Sequence, residues 1–215
     1  MKKLALLILL MMIFQSSVFS RPVVFNDDGK FGLKDENGNI VVKAEYKKLI
    51  RLGESGWIIQ KGSKFGIMND EGKILVEPKY NRADRVLGKF AKLTKGEKNG
   101  LFDEKGFVIL PPEYSSIDLL FGGMFLTCKN YKYGVTDFEG KILLKPEFDD
   151  IYMPKPTAMR IKYNGEWYEI ERLKPGEIEL PEETKKVIID NKEFKVTHLA
   201  ANAGVLSGYT AATAA

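Results

Sequence analysis

One histidine, His198, and one cysteine, Cys128, are the only side chains in the sequence whose proton or thiolate chemistry suits catalysis near neutral pH. Acid–base or nucleophilic catalysis sets unlike groups side by side, and no Gly-x-Ser-x-Gly, His-Glu-x-x-His or phosphate-loop pattern supplies them. Carboxylate pairs such as Asp35 with Glu36 and Asp149 with Asp150 fall in turns and linkers, where a solvated charge is the ordinary state. His198 reads as a solvated residue outside the repeats, and Cys128, within Met124-Phe125-Leu126-Thr127-Cys128, as a buried and inert thiol. A single cysteine makes no intramolecular disulfide. The expectation is a chain with no catalytic residues and no cofactor.

Binding chemistry is better supplied, because side chains recur at one interval. Tyr46, Tyr80, Tyr114 and Phe148 stand 34 residues apart, as an aromatic ladder for sugar rings would, or as a packing plug between units would. Lys61, Lys64, Lys95, Lys98, Lys129 and Lys132 make either a basic stripe for an anionic polymer or a set of solvated hairpin turns. Asp35, Asn69, Asp103 and Asp137 raise calcium, but each copy offers only scattered oxygens, and no metal site is expected.

The interval itself comes from glycine. Gly32, Gly66, Gly100 and Gly134 share the 34-residue step, and six residues after each comes Gly38, Gly72, Gly106 or Gly140. A fixed period of this length marks stacked supersecondary units. The segments Phe31–Gly38, Phe65–Gly72, Asn99–Gly106 and Tyr133–Gly140 each read as a short strand entering a tight turn. The Asp or Asn is placed to bond the turn's own backbone, and the closing glycine to take the positive φ of a type I turn with a G1 bulge. Ile40-Val-Val42, Ile74-Leu-Val76, Val108-Ile-Leu110 and Ile142-Leu-Leu144 follow, apolar at three successive positions, which predicts a strand covered on both faces. Pro78, Pro112 and Pro146, with Ala44 in the first copy, are expected to stop the ladder for want of an amide hydrogen.

After an irregular connection a third strand follows at Trp57–Gln60, Phe90–Leu93, Met124–Thr127 and Ala158–Ile161. The unit is thus a three-stranded antiparallel β-meander, opening at Val23-Val24-Phe25, and with no helical period between residues 22 and 170 the body is all-β. Degenerate ends favour an open solenoid-like array; in the alternative, a propeller-like closure, Val23–Phe25 would complete the last blade.

The ends of the chain differ from its body. Lys2 and Lys3, the apolar run Leu4–Phe14 and a short polar exit form a secretory signal over residues 1–20, with cleavage expected after Ser20. The apolar core is too short to span a bilayer, so the mature chain carries no stable membrane span. The β-repeat array occupies residues 21–170, decaying at its end where Tyr168 replaces the expected glycine, and a degenerate capping repeat and hairpin, with Gly176 closing an enlarged turn, occupies residues 171–198. Residues 199–215 form an uncharged tail. Loss of Lys2 and Lys3 with the leader lowers the formal charge from +4 to +2 without leaving a basic run, which argues against a nucleic-acid partner.

Aromatic-Gly-aliphatic-x-Asp/Asn-x-x-Gly, three aliphatics, then Pro-x-aromatic, as in Phe65–Tyr80 and Tyr133–Phe148, resembles the bacterial WG-containing or KWG repeat over about residues 22–180. The Trp-Gly pair is Phe31-Gly32, Phe65-Gly66 and Tyr133-Gly134 here, Asn99 replaces the aromatic once, and Trp167 keeps the Trp without the glycine. The resemblance implies a non-catalytic repeat module, in a family with many exported members. The expected role is protein–protein interaction or scaffolding in the cell envelope, periplasmic, cell-surface or secreted, with an envelope protein as partner. The alternative is binding of a cell-wall glycan such as peptidoglycan.

Overall fold

The computed structural model describes residues 21–155, 158–171, 185–189 and 192–198, which form strands and turns and, among them, no helix. The predicted leader, the enlarged turn at Gly176 and the uncharged tail lie outside the described residues. The chain divides into two compact units, one running to Gly96 with Phe102–Val108, the other made of Glu97–Leu101 and the chain from Ile109 on.

Strands β1 (Val23–Asp27), β2 (Lys30–Lys34) and β3 (Ile40–Tyr46) make a three-stranded sheet. A four-stranded sheet follows from β4 (Lys48–Leu52), β5 (Gly56–Lys61), β6 (Lys64–Asn69) and β7 (Ile74–Tyr80). The plan repeats in β8 (Arg82–Val86), β9 (Phe90–Lys95), β10 (Lys98–Asp103) and β11 (Val108–Tyr114), and again in β12 (Ser116–Leu120), β13 (Met124–Lys129), β14 (Lys132–Asp137) and β15 (Ile142–Phe148). The last sheet contains β16 (Asp150–Lys155), β17 (Ala158–Tyr163), β18 (Glu166–Glu171), β19 (Lys185–Ile189) and β20 (Lys192–His198), in the order β16-β17-β18-β20-β19. These are repeated antiparallel meanders, and each described sheet has two ends rather than closing into a barrel. His198 ends β20 opposite Tyr168, so its backbone belongs to a strand rather than to a tail.

Other details of the strands differ from expectation. The connections expected to be irregular are strands β4, β8 and β12, so the meander gains a fourth strand in the second, third and fourth sheets. Arg82, Asp84 and Arg85 hide the alternation in β8, as charged residues on an outer strand often do. The prolines do not stop the ladder either: Pro78, Pro112 and Pro146 lie inside β7, β11 and β15. Each of those strands is the outer one of its sheet, where a missing amide hydrogen costs little.

The apolar triplets are not buried throughout. Only the third residue of each apolar triplet is buried, at Val42, Val76, Leu110 and Leu144, whereas Ile40, Val108 and Ile142 are exposed.

The turns form as read. Asp35 Oδ1 accepts from the amides of Asn37 (2.9 Å) and Asn39 (2.8 Å), Asp103 from those of Lys105 and Phe107, Asp137 from those of Glu139 and Lys141, and Asn69 from that of Lys73. The closing glycine takes positive φ each time, +83° at Gly38 and +85° at Gly140.

The first glycine has a separate reason. Phe65 faces Tyr80 and Ile67 faces Val76, so Gly66 alone stands across from Glu77, Pro78 and Lys79. The bulged strand leans over it, and a Cβ on Gly66 would lie 2.3 Å from the Val76 carbonyl oxygen. The same crowding holds at Gly32, 2.4 Å from the Val42 oxygen, and at Gly134, 2.6 Å from that of Leu144.

Gly66→Ala is therefore expected to cost about 3 kcal/mol through overpacking. Gly29→Ala, strained by its φ of +75° but with open space around it, should cost about 1 kcal/mol. Urea unfolding midpoints of the two variants check the order; a reversed order would remove the bulge as the reason for the glycine column.

Candidate interaction surface

Tyr46, Tyr80, Tyr114 and Phe148 each end a strand, and all four are buried, at 3, 4, 6 and 2% exposure. Tyr46 packs with Trp57, Ile59 and Met68 of the next sheet, and Tyr80 with Ala91, Leu93 and Phe102, meeting the Phe102 ring edge-on at 5.6 Å. Phe148 packs with Met153, Ile161 and Tyr168. Where Asn99 replaces the ring opposite Tyr114, its Nδ2 donates to the Ser115 carbonyl at 2.8 Å, a polar substitute for the ring pair. Tyr46, Tyr80 and Phe148 plug the space between successive sheets, and none of the four rings offers its face to a sugar.

Burial pushes the Tyr46 hydroxyl up to about 12, helped by the negative charge of Glu45 and Glu77, and burial also raises Tyr80 and Tyr114. A phenol with a raised folded-state pKa favours the fold fully below the unfolded value near 10 and loses that contribution as pH rises through the folded value. Stability should thus fall between about pH 10 and 12. Absorbance at tyrosinate wavelengths, followed beside circular dichroism, should show the buried tyrosines ionising together with unfolding.

Half of the lysine column is paired. Lys61 meets Glu45 at 3.1 Å, Lys129 bonds Glu113, and Lys132 bonds Asp149. Asp149 is held below the usual carboxylate range by Lys132 and by the Gly165 amide that donates to it. The stripe carries less free positive charge than its sequence suggests.

The copies differ most at three columns that the sequence did not single out. In the second sheet they hold Arg51, Trp57 and Asp70. The Arg51 guanidinium donates to both oxygens of the buried Asp70 carboxylate and lies 4.9 Å over the Trp57 ring, whose Nε1 donates to the same carboxylate at 2.7 Å. One step on, the columns hold Arg85, Ala91 and Glu104, and both charges turn to backbone: Arg85 donates to the Arg51 carbonyl, and Glu104 accepts from the Glu54 amide. A further step gives Leu119, Phe125 and Phe138, with the two phenyl rings 4.9 Å apart.

Outward-facing apolar groups sit at turns. Tyr131 is 93% exposed with a φ of +61°, in a two-residue turn where the equivalent turns at the ends of the array put Gly29 and Gly165. Leu87, 51% exposed, has a φ of +50° where the second sheet has Gly53. Phe121 and Phe107 are exposed at 60 and 66%, in columns that hold Gly53 and, for Phe107, Asn39, Lys73 and Lys141. A left-handed conformation disfavours both Leu and Tyr, and no burial offsets it. Tyr131→Gly should therefore gain up to about 1 kcal/mol in stability, the relief of strain exceeding the entropy cost of glycine. Thermal unfolding checks this, and a loss of stability would mean that the ring contributes to the fold.

No curated protein matches the chain. Among solved structures, the chain is similar to PorZ, an essential bacterial surface component of the type-IX secretion system of Porphyromonas gingivalis, at 13% identity and a TM-score of 0.33, covering 70% of this chain and 25% of that one. It is also similar to Hsv2p of Kluyveromyces lactis, at 12% identity and a TM-score of 0.35, over 74 and 60% of the two chains. A eukaryotic initiation factor matches at 10% identity and a TM-score of 0.38, over 82 and 51%. The chain spans from a quarter to three fifths of the length of these proteins. Residues 31–59, 65–98 and 100–133 match the model of the WG containing repeat, the segments in which the crowded glycine, the capped turn and the buried closing aromatic recur. Residues 31–133 thus carry three tandem WG containing repeats.

Proposed function

We propose that this repeat protein is exported, works without catalysis, and holds other proteins in the cell envelope through its hairpin tips. The observation that carries the reading is the placement of Leu87, Phe107, Phe121 and Tyr131, large apolar groups on outward turns: Leu87 and Phe121 share a column that holds Gly53 in the second sheet, and the columns of Phe107 and Tyr131 hold glycine or polar residues in the other copies. Two of the four hold a backbone conformation that disfavours them. A cost kept without a gain in packing fits a contact surface, and exposed aromatics are the side chains that contribute most to protein interfaces. Burial of the aromatic column favours this reading over binding of peptidoglycan. The basic start and apolar run of residues 1–20 support export.

A photo-crosslinking residue placed at Tyr131 in cells should give a discrete protein adduct, and the same residue at Lys64 should not. In parallel, the protein should fail to sediment with protein-free peptidoglycan sacculi across a salt series. Salt-resistant sedimentation with no adduct would overturn the reading in favour of a glycan-binding module.

A further inference from the structure

The first sheet has three strands where the next three have four. Stepping by 34 residues, β1 stands where β5, β9 and β13 stand, and the outer neighbours of those strands are β4, β8 and β12. No described strand lies outside β1. Two apolar residues of this strand are open to solvent, Val23 at 62 and Val24 at 37% exposure. The first sheet thus presents an open edge with apolar residues beside it, a form that favours pairing with another strand.

We propose that β1 of a second copy of this chain fills this edge, antiparallel, giving a two-fold dimer. The hydrogen-bond alternation selects the register. Asp27 and Lys30 close the two-residue turn Asp28–Gly29 and form its hydrogen-bonded pair, so the amides of Val24 and Asn26 point away from β2. Centring the new pair on Val24 lets each Val24 exchange both backbone bonds with the partner's Val24. The same register sets Val23 against the partner's Phe25, and Arg21 against the partner's Asp27 at both ends. Apolar groups meet at the centre and opposite charges at the rim, and the two-fold operation closes the pair without leaving an edge to propagate. The pairing rests on the reading that residues 1–20 are removed, so that the chain starts at Arg21.

Sedimentation velocity of the full chain over a concentration series, with intact mass to fix its first residue, tests the pairing. A dimer is expected. Val24→Pro should convert it to monomer while leaving circular dichroism unchanged, because the lost amide hydrogen faces the partner and not β2. Asp27→Arg should weaken the dimer about tenfold, and adding Arg21→Asp should restore it, a rescue that only this register gives. A monomer at every concentration in a chain starting at Arg21, or a dimer indifferent to Val24→Pro, overturns the pairing. A monomer whose Val24 amide is still protected from hydrogen exchange also overturns it and puts the occupant within the same chain. A chain that retains residues 1–20 overturns the leader reading and the pairing with it.

Discussion

A carbonyl oxygen pressed against a glycine Cα is the contact on which the rest of this repeat depends. With Gly66 carrying no side chain, the strand opposite can bulge toward it, spending Glu77, Pro78 and Lys79 against a single residue. The bulge brings Tyr80 into register with Phe65 and points its ring into the space before the next sheet. A proline inside β7 is compatible because the bulge and the outer position together remove the need for its amide hydrogen. Glycine, proline and closing aromatic are thus three parts of one backbone device.

The device fixes the backbone and leaves certain side chains open to choice. At three columns the second sheet uses a buried carboxylate bound by Arg51 and Trp57, and the fourth sheet uses Phe125 packed against a tilted Phe138 ring. Exchange of a buried ion pair for packed hydrophobic groups is often neutral or stabilising, which is why both solutions can occupy one geometry. The third sheet is intermediate: Ala91 leaves no ring to stack on, and its two charged neighbours bond the second sheet's backbone instead. The polar forms tie their neighbours by direction and the apolar form by volume.

Much of this was legible in the sequence because short-range chemistry decides it. The Asp and Asn caps, the positive φ of the closing glycines and the buried thiol of Cys128 follow from local rules, and the structure agrees. Periodicity alone could not say whether the aromatic column faced solvent or core, since both readings put a ring at the same interval; burial decides for the core. The fourth strand was hidden because β8 mixes Arg82, Asp84 and Arg85 with two aliphatics, a pattern that reads as a polar connection. The prolines misled for a related reason, as the rule that proline ends a ladder assumes that the next strand needs its amide. The apolar tips at Phe107 and Tyr131 could have been found by comparing each column across the copies, where they interrupt runs of glycine and polar residues, and Leu87 and Phe121 by their departure from Gly53 in a shared column.

Only one residue separates each closing strand from the outer strand of the following sheet: Lys47, Asn81, Ser115 and Asp149, whose amides donate to Gln60, Thr94, Cys128 and Lys162. Because this joint recurs with the same 34-residue step as everything else, an in-frame gene duplication of one period, begun at any codon, rebuilds a complete joint on each side of the added copy. Array length can then change by unequal recombination without any new interface having to evolve first. Divergence is left to the tips and the three variable columns, where one copy can acquire a contact while its sisters keep the frame intact.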